Sequence, residues 1–105
     1  MQHIVIATGT TQILTRAIGP SLTAAGLADV LADPTLEVFD ANGASMLAND
    51  NWKDTQQSEI EATAIPPPND LEAAAILTLA AGAYTIVVRG ANETGGIGLV
   101  EVYKL

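Results

Sequence analysis

The sequence predicts a single all-β domain over residues 1–105, an antiparallel β-sandwich of the jelly-roll-like kind. Three observations predict it. Short stretches rich in β-branched and apolar residues recur along the chain, and turn-forming residues separate them at regular intervals. With 105 residues, the chain has room for one hydrophobic core and no second. We expect seven or eight short strands and one or two short helical turns.

The first two strands are expected to form a hairpin. Residues 4–8 and 12–18 are apolar and β-branched, and they flank the glycine-containing segment 9–11. A Gly-Pro pair then ends the second strand, because proline has no backbone N–H to donate. Residues 21–26 predict one helical turn that stops at its terminal glycine.

The middle of the chain predicts a second hairpin and a short helix. Residues 36–40 alternate apolar and polar side chains, as a half-buried strand does. A turn with Asp first and Gly last follows, and residues 45–48 return as the partner strand. Residues 56–63 contain a Ser followed three residues later by a Glu, a spacing that favours one or two helical turns.

The C-terminal region predicts three strands. Residues 73–79 favour a strand despite their alanines, because the stretch is short and lies between a polyproline segment and Gly82. Residues 84–88 have the strongest strand pattern in the sequence. Residues 97–105 are expected to pair with residues 84–90 across a glycine-containing connection, and this pair closes the domain.

The composition restricts the partners. Twelve acidic residues against four basic ones give a net charge of −8, which repels the phosphates of nucleic acids and anionic membrane surfaces. No apolar run approaches the ~20 residues that a membrane-spanning helix needs, so we expect no membrane insertion. The absence of cysteine excludes disulfides and thiolate chemistry. The start of the sequence lacks the basic region of a signal peptide.

Five segments of the chain occur in an order that resembles one protein family. They are RAIGPSL at 16–22, ADPTLEVFD at 32–40, NDNW at 49–52, AGAYT at 81–85 and TGGIGLVEVY at 94–103. Together they resemble a β-sandwich repeat that occurs, often in tandem, in large secreted or surface proteins of environmental bacteria. The second half of the chain also resembles the bacterial prepeptidase C-terminal (PPC) type of jelly-roll-like domain.

This resemblance implies an extracellular or cell-surface location and a non-enzymatic accessory, structural or adhesive role. It transfers no catalytic residue. His3 is the one histidine, and Ser21 lies in Gly-Pro-Ser-Leu rather than in the Gly-x-Ser-x-Gly turn of a nucleophilic serine. We therefore expect that the protein is not an enzyme.

Residues 49–55 form a polar loop that is the candidate ligand site. Asp50 and Asp54, together with Asn49, supply the oxygen atoms that calcium prefers, although no EF-hand spacing is present. The alternative is that these residues cap turns. Trp52 is a candidate contact for a glycan ring, or else it plugs one end of the sandwich and donates its N–H to a backbone carbonyl. We expect no cofactor, with calcium as the one alternative.

Arg16 and Glu101 are charged residues on predicted strands, where charges are uncommon. We expect them to form an internal ion pair, which specifies the strand register more than it stabilises the fold. The alternative is that both side chains point to solvent on the outer faces of the sheet.

The apolar, uncharged strand that contains Ile4, Val5 and Ile6 resembles an edge strand that pairs with another chain. The alternative is that it pairs within its own domain. Two functions follow from these observations. The first is a structural or adhesive extracellular module that self-associates, or joins neighbouring domains of the same type, into fibres. The second is a calcium- or glycan-binding accessory module that uses the 49–55 loop.

Overall fold

The computed structural model describes residues 2–105 as one antiparallel β-sheet with short helices. In chain order the elements are β1 (Gln2–Ile18), a 3-10 helix (Pro20–Ala25), β2 (Pro34–Phe39), β3 (Ser45–Asn49), α1 (Gln57–Ala62), β4 (Ala73–Gly90), a 3-10 turn (Ala91–Glu93) and β5 (Leu99–Lys104). The strand order is β3-β2-β4-β1-β5, and every neighbouring pair is antiparallel. The all-β prediction is confirmed, with five strands where seven or eight are predicted.

The N-terminal hairpin is the first prediction that the structure contradicts. Residues 4–8 and 12–18 belong to one strand, β1, and both parts pair with β4. A bulge between Ile6 and Thr10 contains Gly9, whose φ of 67° is accessible to glycine at little cost. This glycine therefore bends the strand instead of reversing it.

The predicted pairing of residues 97–105 with residues 84–90 is also wrong. Residues 73–79 are a strand, as expected, but they continue through Gly82 into residues 84–90 as the single strand β4. β5 does not follow β4 in the sheet, because β1 lies between them. β5 pairs instead with β1, where Glu101 lies opposite Arg16.

The predicted hairpin and the position of the predicted helix in the middle of the chain are confirmed, whereas the capping contact expected from the Ser58–Glu61 spacing is not formed: α1 begins after Gln56 without a side-chain hydrogen bond at its cap. β2 and β3 form an antiparallel hairpin through a turn in which the Asp40 carboxylate accepts hydrogen bonds from the backbone N–H groups of Asn42 and Ala44. Helix α1 lies within the predicted 56–63 segment. None of the helices among residues 2–105 is long and apolar enough to cross a membrane.

The two long strands bend, and the sheet folds over itself. A straight strand of 18 residues such as β4 would measure about 60 Å at ~3.3 Å per residue, whereas the largest extent of the molecule is 40 Å. The bend divides the sheet into two parts. The four-stranded half contains β3, β2, residues 85–90 of β4 and residues 2–6 of β1; the three-stranded half contains residues 73–79 of β4, residues 13–18 of β1, and β5.

The hydrophobic core lies between these two halves. Leu36 and Val38 of the four-stranded half form one buried cluster with Ala17 and Ala75 of the three-stranded half. We call the core-facing side of the sheet its inner face. On the outer face of the three-stranded half, Ile60 of α1 covers a second cluster of buried side chains.

Candidate functional site

The candidate site is residues 2–6 of β1, which we call the edge segment. It pairs with β4 on one side, whereas β5 begins to cover the other side of β1 only at Ile13. Alternate residues of a strand direct their backbone N–H and C=O groups to opposite sides. Within residues 2–105, no strand pairs with the groups that face away from β4.

The edge segment contains the predicted assembly residues Ile4, Val5 and Ile6. Val5 is 75% exposed and points away from the core, whereas Ile4 and Ile6 are half-buried against the core. The edge segment carries no Asp, Glu, Lys or Arg, in a chain whose net charge is −8. It therefore presents to solvent a strand without Asp, Glu, Lys or Arg, polar at Gln2 and His3 and apolar over Ile4–Ile6.

A groove lies beside the edge segment, between it and the end of β5. Its volume is about 400 Å³. Ile4, Ile6 and Ile13 supply apolar lining from β1, and Val102 and Lys104 supply the β5 side. No acidic residue lines this groove among the residues that the structure describes. An incoming strand that paired with the edge segment would place alternate side chains in this groove.

In the three-stranded half, residues 73–79 of β4 form the edge opposite β5. Side-chain amides occupy the backbone groups of this edge. The Asn49 Oδ1 accepts a hydrogen bond from the Ala74 N–H at 3.1 Å. The Gln56 carboxamide accepts from the Ile76 N–H at 2.9 Å and donates to the Ile76 carbonyl at 3.1 Å. Gln56 thus makes with β4 both hydrogen bonds that a neighbouring strand would make. This edge is protected against another strand, whereas the edge segment is not.

These contacts change the interpretation of Asn49 as a metal ligand. Its carbonyl oxygen accepts from β4, and its Nδ2 donates to the carbonyl of Asn51 at 3.1 Å. The side chain is buried, and both of its functional ends are occupied. We therefore correct the sequence-based prediction: Asn49 holds the 49–55 loop against the sheet.

Asp50 and Asp54 lie near a third carboxylate, that of Asp33, at the end of β3. Partial desolvation, a side-chain hydrogen bond to Asp33 and repulsion from Asp33 and Asp54 raise the pKa of Asp50. The Oδ1 atoms of Asp33 and Asn51 are buried without a hydrogen-bond donor. Among residues 2–105, no group of three or more His, Cys, Asp or Glu side chains is placed to hold a metal ion.

Trp52 is a core residue, which contradicts its prediction as a glycan contact. It is 4% exposed and packs with Leu14, Ile60 and Ala74 beneath α1. This placement agrees with the alternative that the indole plugs the structure. The expected hydrogen bond is not formed, since the indole Nε1 has no acceptor among the described residues.

Arg16 and Glu101 are brought together across the β1–β5 pair. The Arg16 Nε donates to Glu101 Oε1 at 2.9 Å, and a second guanidinium nitrogen donates to the same oxygen. The Tyr103 hydroxyl donates to Glu101 Oε2 at 2.9 Å, and this bond is the main reason why the pKa of Tyr103 is raised. The guanidinium also donates to the carbonyls of Ile65 and Pro66, at 3.3 and 3.4 Å.

Glu72 is a buried carboxylate that the sequence does not single out. It is fully buried and accepts from the N–H groups of Gly19, Ser21 and Asn69 at 2.9 to 3.0 Å and from the Ser21 hydroxyl at 2.7 Å. It thereby fixes the Gly-Pro-Ser turn that follows β1. Gly19 is required there because a Cβ atom would lie 2.3 Å from the carbonyl oxygen of Leu31.

A larger groove of about 710 Å³ lies between α1 and the outer face of the sheet. Gln12, Gln56, Glu59, Ile76 and the C-terminal Leu105 line it. Glu59 is the one acidic residue in this lining, so the groove lacks the paired carboxylates that glycoside hydrolysis uses.

Comparison with protein-family models, with curated proteins and with solved structures found no match. The function is therefore inferred from the geometry of the chain itself.

Proposed function

We propose that this protein is a non-enzymatic structural module that assembles with further copies of itself by strand addition at the edge segment. One observation carries the proposal: the edge segment leaves backbone groups unpaired along a strand without Asp, Glu, Lys or Arg, apolar over Ile4–Ile6, with a groove beside it. A strand from another copy would satisfy these groups and cover Val5.

The contrast with the opposite edge supports this proposal. Exposed strand edges promote association, and monomeric proteins protect them with charges, prolines, bulges or covering segments. This chain protects residues 73–79 of β4 with the amides of Asn49 and Gln56. The edge segment has neither a charged residue nor a proline, and its bulge lies beyond its end.

We also propose that the fold is a jelly-roll-like sandwich and that the protein lies outside the cell. The two halves of the sheet enclose one core between them, which supports a jelly-roll-like sandwich. The resemblance to secreted bacterial repeats supports a place outside the cell, in a fibre or on a surface. An extracellular fibre subunit has a use for an unprotected edge, whereas a protein that must stay monomeric does not.

Sedimentation velocity of the purified chain over a range of concentrations tests this function. We expect multimers in the wild type and monomers in Val5→Glu, which places an acidic side chain on the edge segment without entering the core. Ala25→Glu is the matched control, because it adds the same charge at an exposed site in the 3-10 helix. A monomeric wild type would contradict the proposal, and so would equal multimers in Val5→Glu.

A second candidate function, calcium binding, is favoured by one observation at the other end of the sheet. The Oδ1 atoms of Asp33 and Asn51 are buried without donors, and the Asp33 carboxylate lies near that of Asp50; calcium binds such oxygens. Electron microscopy with and without a chelator separates the two candidates. Strand addition alone predicts the same multimers in both conditions, whereas a bridging calcium ion predicts that the chelator disperses them.

A further inference from the structure

The four-stranded half of the sheet has two free edges. The edge segment forms one, and β3 (Ser45–Asn49) forms the other. In the three-stranded half, the side-chain amides of Asn49 and Gln56 close one edge, so only β5 is left open. Only the four-stranded half can therefore extend in both directions.

The strand directions allow the two free edges to join. Each strand in the four-stranded half is antiparallel to its neighbour, so the edge segment and β3 run in opposite directions. A second copy placed in the same orientation would set its β3 antiparallel to the edge segment of the first. The alternation of strands would continue without a break, because the number of strands in this half is even.

The exposed apolar side chains of the two edges also match. Val5 is 75% exposed, and Met46 of β3 is 45% exposed. Val5 lies on the outer face between Ile4 and Ile6, which pack against the core. Met46 precedes Leu47, which packs against the core, and it lies at an irregularity of β3 where Ser45 is opposite Phe39 and Leu47 is opposite Val38. In a joined sheet, Val5 of one copy and Met46 of the next would be cross-strand neighbours, and such pairs stabilise sheets.

The charges distinguish this arrangement from a symmetric one. The groove beside the edge segment contains Lys104, which has no ion-pair partner within residues 2–105, and no acidic residue. β3 is followed directly by Asp50 and preceded by the Asp40 turn. Two β3 edges would bring acidic residues together, and two edge segments would offer Lys104 no acidic partner. Only the unlike pair places a basic groove against an acidic edge.

We infer that copies of this chain join head to tail, with the outer edge of β3 of one copy paired to the edge segment of the next. This inference rests on the proposed function, and it specifies which surface of the second copy is bound. The contact is heterologous, so each copy keeps one free edge of each kind and the assembly grows as a linear fibre.

Two single variants and their mixture test the inference in sedimentation velocity. Val5→Glu blocks the edge segment, and Met46→Glu blocks β3; both changes are at exposed side chains, and thermal unfolding confirms that each variant is folded. Head-to-tail joining predicts that each variant alone is a monomer. It also predicts that the equimolar mixture forms one-to-one dimers and nothing larger. The unchanged β3 of Val5→Glu can pair with the unchanged edge segment of Met46→Glu, and every other edge of the dimer carries a substitution or is already paired.

The other outcomes are each decisive. A wild type that multimerises, together with dimers of Met46→Glu alone, would indicate that edge segments pair with each other: it overturns this inference and leaves the proposed function standing. Dimers of Val5→Glu alone would indicate that β3 edges pair with each other, and they would overturn both. A monomeric wild type overturns both. If either variant fails to fold, Val5→Lys or Met46→Lys replaces it. A further mixture, of Val5→Lys with Met46→Glu, must form dimers at least as strongly as the mixture of Val5→Glu with Met46→Glu. Dimers that are absent from this mixture would overturn head-to-tail joining.

Discussion

Arg16 and Glu101 join the two outermost strands on one side of the sheet, with the Arg16 Nε donating to Glu101 Oε1 at 2.9 Å. Their side chains are 15% and 25% exposed, so water screens the pair only in part. The two residues lie directly opposite each other in the β1–β5 ladder, and Arg16 also donates hydrogen bonds to the chain at residues 65–66.

The first prediction concerns the coupling between these two residues. Arg16→Leu and Glu101→Leu should each lower the free energy of unfolding, because each leaves a partly buried charge without its partner. The double variant should lose less than the sum by about 1 to 2 kcal/mol. Urea unfolding of the four proteins measures this coupling energy. Strictly additive losses would show that the contact carries no coupling.

The second prediction concerns Glu72. Glu72→Gln should lower the free energy of unfolding by about 3 kcal/mol, because both carboxylate oxygens accept N–H donors and an amide NH₂ group would face at least one of them. Glu61→Gln is the matched control, since Glu61 is exposed on α1. We expect a change of less than about 0.5 kcal/mol for that variant. Equal effects of the two substitutions in urea unfolding would contradict the role of Glu72.

The third prediction concerns Asp50 and pH. The pKa of Asp50 is raised above its ordinary value of 3.8, so the folded state favours the protonated carboxyl and loses stability as pH rises through the raised value. Asp50→Asn should therefore be more stable than wild type at neutral pH, and the difference should shrink as the pH falls. Thermal unfolding between acid and neutral pH measures it.

Asp70→Asn is the control for that experiment, because it removes the same charge from an exposed carboxylate that pairs with Lys53. We expect no comparable gain for this variant. If Asp50→Asn is instead less stable than wild type, and a chelator lowers the stability of the wild type in the same way, the result would indicate a bound cation at Asp50.

The fourth prediction concerns Trp52. Trp52→Ala should lower the free energy of unfolding by about 3 to 5 kcal/mol, because a large buried side chain is lost beneath α1. Trp52→Phe should cost much less, since the indole N–H that it removes has no acceptor. Urea unfolding measures both. A Phe variant as unstable as the Ala variant would show that the indole N–H makes a necessary hydrogen bond.

The sequence predicts the features that depend on neighbouring residues. The β2–β3 hairpin follows from alternation and a local turn, and α1 from the composition of residues 56–63. The Arg16–Glu101 contact was also accessible, because a charge on a half-buried strand requires a partner. These predictions need only local patterns or the chemistry of burial.

The pairing of distant strands could not be predicted in the same way. Two apolar stretches that flank Gly9 are expected whether the chain reverses there or only bends. The sequence therefore does not distinguish a hairpin from the bulge in β1. β5 has the same apolar pattern whether it pairs with β4 or with β1, and this choice depends on how the sheet folds over itself. Gln56 lies at the start of the predicted helical segment and Glu72 in a polar loop, and nothing local indicates that their side chains pair with distant backbone.

Amide hydrogen exchange of the wild-type chain at low and high protein concentration tests strand addition at the edge segment most directly. We expect protection of residues 2–6 to rise with concentration and that of residues 73–79 to stay constant, because strand addition gives new hydrogen bonds to the edge segment and none to the part of β4 that Asn49 and Gln56 cover. Protection of the edge segment that stays constant while multimers form would contradict it.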